Sequence, residues 1–357
     1  VRYLYLHRVK IGHVHTHAFA GMFRVQHIFF RSEVKIESSS SSIFEHSSIE
    51  EIVFDDVDGR LNDHFLAGCE APTVSIRGSR ITFAVRGKPM KTTPKCSPIP
   101  TLLRLTNSTV DKLDLALLPQ QQIVVHNSII SRIVSSTSHH PATCGEMGDK
   151  RLHTTASIIE SVPARAFGLI RWDTVGFNQT RIGEVHGDAF RKATISSLSF
   201  NKATVGLVAE RAFDGAIIDE MEVEESQIGT LGPRAFAGSK TGTLTLRRTT
   251  IHEAMPEAFG DIEGHRVTVD DCRLLRGGEA TFARAKISHL ALSSTRFPSD
   301  PRRLLLSFFP LHLSVTHSTF ACNATDCELN ALLLSQPEEE LRELHFAGNK
   351  CDADGVC

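Results

Sequence analysis

Six phenylalanines recur at an interval of 23 residues: Phe167, Phe190, Phe213, Phe236, Phe259 and Phe282. Ala precedes the first five and Thr281 precedes the sixth. An unbroken period of this length belongs to a solenoid, in which each copy of one small unit buries its apolar face only against its neighbours. Such a chain binds or scaffolds, and it catalyses only where a reactive cluster is grafted onto it.

The rest of each repeat fills in around the Phe. With Ile195 numbered as repeat position 1, apolar residues fall at Ile195, Leu198, Phe200, Val205, Val208 and Phe213, which are positions 1, 4, 6, 11, 14 and 19. The next copy keeps the frame with Ile218, Met221, Val223, Ile228, Leu231 and Phe236. The preceding copy reads Trp172, Val175, Phe177, Ile182, Val185 and Phe190. Positions 4 and 6 alternate as a strand with one buried face does, so each copy is expected to give one short strand, and stacked copies a parallel sheet. Positions 11, 14 and 19 return the chain around the back, with the Phe as the large plug of each coil.

The frame reaches the first residue, through Val1, Leu4, Leu6, Val9, Ile11, Val14 and Phe19. Between residues 70 and 150 the pattern is degenerate, with strand pairs at Val74/Ile76, Leu103/Leu105 and Ile123/Val125. The insertions Lys88–Pro100 and Ser135–Lys150 and the serine run Ser38–Ser42 read as solvent-facing loops, because such composition cannot pack a core. About thirteen to fourteen coils are expected in one continuous domain. No apolar run of about 18 residues occurs. The chain opens in mid-solenoid without a polar capping unit, so the expectation is a fragment, or a first coil that stacks on a partner.

The spacing LxxLxLxxxxLxxLxxxxF resembles that of extracellular leucine-rich repeats in their 23–24-residue form. Position 9, usually Asn in that family, here holds Thr180, Ala203, Ser226, Thr249, Cys272 and Thr295. This departure implies a divergent, invertebrate-like member. The Ala-Phe element is also similar to the 23-residue repeats of certain bacterial surface proteins. The resemblance implies an α/β-type repeat solenoid: a leucine-rich-repeat horseshoe with a parallel β-sheet on the concave face. Its convex side would be mostly irregular, with little helix outside a C-terminal cap.

Four of the eight cysteines lie at the end: Cys322, Cys327, Cys351 and Cys357. With Phe320 before them and the Leu-rich segment after Cys327, they resemble the cysteine-rich cap of extracellular leucine-rich-repeat proteins. That resemblance implies Cys322–Cys351 and Cys327–Cys357 disulfides, a solenoid over 1–316 and a cap over 317–357. A zinc site is the alternative, although no Cys-x-x-Cys knuckle is present. Leu341, Leu344, Phe346 and Asn349 fit positions 1, 4, 6 and 9, so the cap holds one further repeat-like strand. Cys69 and Cys96 lie at the ends of successive irregular coils and are candidates for a bridge. Cys272 reads as a free core thiol. The sequons at Asn107, Asn178 and Asn323, with a disulfide-type cap, point to a secreted, extracellular glycoprotein. Asn178 is position 7 of its coil and Asn107 position 8, so glycans there would shield part of the concave face.

Charge is balanced, with 39 Lys plus Arg against 41 Asp plus Glu, which offers no footprint for nucleic acid. The candidate binding surface is the acidic coil Asp219, Glu220, Glu222, Glu224 and Glu225 with Arg247 and Arg248 of the next coil. Cross-strand charge pairing competes with a binding stripe as its explanation. His13, His15 and His17 alternate as chelating triplets do, but scattered surface histidines read the same way. No catalytic, metal-binding or cofactor residue is assigned, and no motif of a common enzyme class is present. The expected role is a secreted, non-catalytic structural or protein-binding subunit of an extracellular assembly, as homo-oligomer or with a protein partner. Recognition of a protein or glycan ligand on the concave face is the alternative, and a β-helix carbohydrate-active enzyme the remote one.

Overall fold

A computed structural model describes residues 2–62, 65, 66, 69, 71–84, 102–115, 122–135, 150–168, 171–278, 280–298, 310–321 and 343–351. The chain divides into two compact units, Val1–Glu160 and Ser161–Cys357. All strand pairings in both units are parallel, and among the described residues there is no helix. The α/β expectation is therefore corrected to an all-β solenoid. The cap helix expected after Cys327 lies outside the described residues.

The second unit shows the coil most plainly. Thr194–Asn201 forms one strand and Thr204–Val208 a second. Each pairs with its counterpart one repeat on, Leu198 with Met221 and Val205 with Ile228. Leu198 and Phe200 point inward as the alternation requires, Ile195 does so across an irregularity of the ladder at Ser196, and Val205 and Val208 close the core from the other side. The coil thus carries two ladders of strands where one strand and an irregular return were expected. The second strand escaped notice because its buried positions, 11 and 14, are three apart and show no period of two. Its outer face bears Gly206, whose Cβ would collide with the Gly183 carbonyl oxygen of the preceding coil.

A sharp corner joins the two ladders. Position 8 is left-handed in every strict coil: Gln179, Lys202, Glu225, Arg248 and Asp271 have φ between 48° and 51°. A left-handed non-glycine residue costs about 1–2 kcal/mol, so something must hold it there. The holder is position 9. Ser226 Oγ accepts the Ala203 N–H of the preceding coil at 3.0 Å and donates to its own Glu224 carbonyl at 2.7 Å. Thr295 Oγ1 accepts from Cys272 N, and Ser318 Oγ from Thr295 N, both at 3.3 Å. This buried hydroxyl column does the work of the missing asparagines. One asparagine does occur at the expected place: Asn349 Oδ1 accepts from Ser318 N at 2.9 Å, and its Nδ2 donates to Val315 O at 2.8 Å. The repeat-like strand expected before it is present as Glu343–Ala347, paired with His312–Thr316.

The phenylalanines form a stack. Ring centroids are 4.5 Å apart for Phe167–Phe190, Phe190–Phe213 and Phe213–Phe236, with planes within 9° of parallel. The spacing widens to 4.8 Å and then 5.5 Å toward Phe282.

The first unit keeps the same cross-section with uneven coils. Tyr3, His27, Glu51, Thr73, Leu102 and Gln122 share one row, as do Gln122 and Arg151. The corner column persists across separations of 20 to 29 residues: Ser79 N donates to Ser108 Oγ, Ser108 N to Ser128 Oγ and Ser128 N to Ser157 Oγ, at 3.1–3.2 Å. The serine run at 38–42 belongs to a coil rather than a loop. Ser39 and Ser42 are buried, Ser39 bridges to Val14, and its Oγ accepts from Asn62 N at 2.8 Å. Small hydroxyls pack there because each can bond the backbone of an adjacent coil. The insertions at 88–100 and 136–149 lie outside the described residues.

Candidate binding surface

Side chains at positions 3, 5 and 7 of the long strands alternate with the core residues and face away from it. In the second unit this exposed face is divided into rows running from coil to coil. Glu220 lies between Ser197 and Thr243, and Glu222 between Ser199 and Thr245. Asp219, Glu220 and Glu222 are exposed and carry no ion pair or hydrogen bond among the described side chains. Cross-strand neutralisation fails here because the opposing residues are hydroxyls.

The other four predicted residues behave differently. Arg248 bridges Glu224 and, at 2.9 Å, Glu225. Arg247 stands 4.0 Å from Glu224 and 3.9 Å from Asp270, and Lys202 lies 3.5 Å from Glu225. These pairs are half-exposed and each contributes about 0–1 kcal/mol. The predicted stripe is therefore two sites: an open carboxylate group on the strand face and a neutralised network at the corner.

Further along the Glu220 row stand Arg266, His289 and His312, none of them singled out in the sequence. The His289 and His312 rings stack at 4.3 Å, His265 meets His289 at 5.1 Å, and His312 Nδ1 is 3.1 Å from Glu343 Oε2. Reading position 3 down the frame would have found them.

The first unit exposes a different chemistry on its long strands. Tyr3 and Tyr5 are about half exposed, at 49% and 57%. Tyr3 stacks on His27 at 5.2 Å and Tyr5 on Phe29 at 4.8 Å. The Arg31 guanidinium lies 4.5 Å over Phe29, a cation–π contact. The signal was present as Tyr-x-Tyr and His-x-Phe at matching positions.

The histidine triplet does not converge. Both ring nitrogens of His13 meet serines, Ser38 at 2.7 Å and Ser40 at 3.0 Å, while His17 Nε2 pairs with Glu45. Among the described residues no group of three His, Cys, Asp or Glu is placed to hold a metal ion. Asn107 and Asn178 are exposed at the corner, and Asn107 Oδ1 accepts from Asn127 Nδ2 at 2.8 Å. Asn323, Cys96, Cys322, Cys327, Cys357 and the Cys351 side chain lie outside the described residues, so the cap pairing and the Cys69–Cys96 bridge do as well. Cys272 is a free buried thiol, and burial pushes it up to about 11. Lys150 is buried beside Asp114, with Nζ donating to Leu115 O at 2.8 Å, and desolvation lowers it to about 8.

A family model of the BspA-type leucine-rich repeat region matches six copies over residues 3–74 and 158–297, more than half of the chain. The chain belongs to the BspA-type leucine-rich repeat family. No curated protein matches the chain. The BspA-type match leaves out residues 75–157, where coil length is uneven, yet the described strands there keep the parallel ladder and the serine column. BspA-type repeats are leucine-rich repeats, which generally mediate protein interactions. Among the described residues no helix is long and apolar enough to cross a membrane.

Proposed function

We propose that this protein is a secreted, non-catalytic repeat protein serving as a structural or protein-binding subunit of an extracellular assembly. The observation that carries the binding role is the exposed strand face of the second unit, where short polar side chains leave the carboxylates of Asp219, Glu220 and Glu222 open. A face of short polar side chains with a few unneutralised charges gives a partner both close approach and register. Secretion is supported by the exposed sequons at Asn107 and Asn178 and by the likeness of the C-terminal cysteines to an extracellular disulfide-bonded cap. Affinity capture from the native source with the full chain, against a Glu220→Ala/Glu222→Ala variant, tests the role. A partner retained by the wild type and lost by the variant is expected, and equal capture by both sinks the assignment of this face. Release of N-glycan mass from Asn107 or Asn178 tests secretion.

Ligand recognition is the second reading, and the Tyr3, Tyr5, His27 and Phe29 cluster favours it, because exposed aromatic rings are frequent binding anchors. If that cluster is the recognition site, Tyr5→Ala abolishes ligand capture and Glu220→Ala leaves it intact.

A further inference from the structure

Three imidazoles stand in contact on the long-strand face of the second unit. The His289 and His312 rings lie face to face, 4.3 Å apart and within 3° of parallel, and His265 meets His289 edge-on at 5.1 Å. Strand pairing brings them together: His289 stands opposite Arg266 on one side and His312 on the other, with Glu343 beyond His312. The two stacked rings are unequally bonded. His312 Nδ1 is 3.1 Å from Glu343 Oε2, whereas His289 Nδ1 is buried with no hydrogen-bond partner among the described residues.

The charged groups around His289 come from three strands besides its own. On Glu263–Asp270, Arg266 is exposed and unpaired among the described residues. Glu263 of that strand lies 3.0 Å from Lys240 and 3.2 Å from Lys286, and its Asp270 accepts from Ser293 Oγ at 2.6 Å. His312–Thr316 brings His312, and Glu343–Ala347 brings Glu343 and His345. The strand of His289 itself adds Lys286. A proton on His312 is matched by Glu343. A proton on His289 meets no carboxylate among the described residues: its neighbours are a guanidinium and two imidazoles. With both stacked rings charged, like charges face each other at 4.3 Å, and one ring must leave the stack to reach water. Imidazole is the side chain that changes its charge between about pH 8 and pH 5.

We propose that the stacked pair His289–His312 is a proton-operated latch, which ties the Lys286–Ser293 and His312–Thr316 strands together near neutral pH and loosens them on acidification. The closed latch binds fewer protons than the opened one, so falling pH favours the opened form and rising pH restores the closed one. The latch is independent of the partner-binding role proposed for this face, since it needs only the chain itself.

Amide hydrogen exchange on the full 357-residue chain, expressed relative to the intrinsic rate at each pH, tests this. Protection of the Lys286–Ser293 and His312–Thr316 strands is expected to fall roughly tenfold between about pH 8 and pH 5. The histidine-free Thr194–Asn201 strand is expected to keep its protection. His289→Phe and His312→Phe each keep an aromatic rung that takes no proton, and each is expected to hold protection constant over that range. His252 is exposed and outside the column, and His252→Asn is expected to leave the wild-type response unchanged. Wild-type strands that stay protected in acid overturn the latch. So does a loss shared equally by Thr194–Asn201, a loss unaltered by either substitution of the pair, or a response removed by His252→Asn. If both substitutions of the pair have already lost protection at neutral pH, the column is structural only and the latch fails as well.

Discussion

The two units solve one packing problem with different means. In the second, the coil is constant at 23 residues from Trp172 to Thr316 and lengthens to 31 before the Glu343–Ala347 strand, and identical rungs stack: Phe on Phe, Ala on Ala, hydroxyl on backbone. In the first, coil separations run from 20 to 29 residues and the plug of the core varies. Phe44, Phe54 and Phe65 fill early coils, while Lys150 and Thr154 are buried near the end of the unit. Both units nevertheless hold the same left-handed corner, followed by a buried hydroxyl at position 9 that Ala203 and Cys272 interrupt in the second unit. The comparison teaches that the left-handed corner and the inward pair before it are kept in both units, while the plug and the coil length vary. Length variation is tolerated wherever the chain can re-enter the column in register, since loop closure grows only slowly more costly with length.

The largest expected break is in the Phe stack. Phe213→Ala removes a rung held between two neighbours at 4.5 Å and should cost about 3–5 kcal/mol. Hydrogen exchange should show the loss of protection in the second unit, and unchanged protection there contradicts a load-sharing ladder. The first unit carries a matching effect of opposite origin. Lys150 titrates near 8 when folded, against 10.5 for a free lysine. The unfolded chain therefore binds more protons between these values, and stability rises with pH across that window by about 3 kcal/mol. Below pH 8 the gain is absent. Urea midpoints measured from pH 7 to 10.5 should climb for the wild type and lose that slope in Lys150→Met.

A smaller effect tests the invariance of the corner. Ser226→Ala in the second unit and Ser108→Ala in the first each strand a buried N–H, of Ala203 and Ser79 respectively. Both should cost about 1–3 kcal/mol, measured by chemical denaturation. A cost confined to one unit would show that the column matters only where the period is strict. The smallest change expected is a gain. A cavity of about 30 Å³ lies among Phe200, Val205, Val208, Met221 and Val223. Val223→Ile should raise stability by roughly 1 kcal/mol, the value of one buried methylene, and a lowered melting temperature would mean that the space cannot accept it.

Much of the second unit was legible in the sequence. A fixed period makes each position its own control, so the strand at positions 4 and 6, the Phe plug and the thiol at Cys272 follow from counting. The first unit hid its serine column because Ser79, Ser108, Ser128 and Ser157 share no constant spacing. Their common signal is local, two alternating core residues followed by Ser, as in Leu103, Leu105 and Ser108. The second ladder was missed because its buried residues lie three apart. The candidate surface was only half legible. Composition marked Asp219 through Glu225 as acidic, but which carboxylates are neutralised depends on what stands opposite, and that is a matter of register.

The sequence by itself determined the solenoid, its repeat length and the residues that fill its core, because burial is periodic and the period is written in apolar side chains. Only the tertiary structure decided that each coil has two strands and that serines hold left-handed corners. It alone showed that Glu224 and Glu225 are paired by Arg248 while Glu220 and Glu222 stand open. Those facts arise between coils, where hydrogen bonds and charges are set by which residues of distant sequence are stacked side by side.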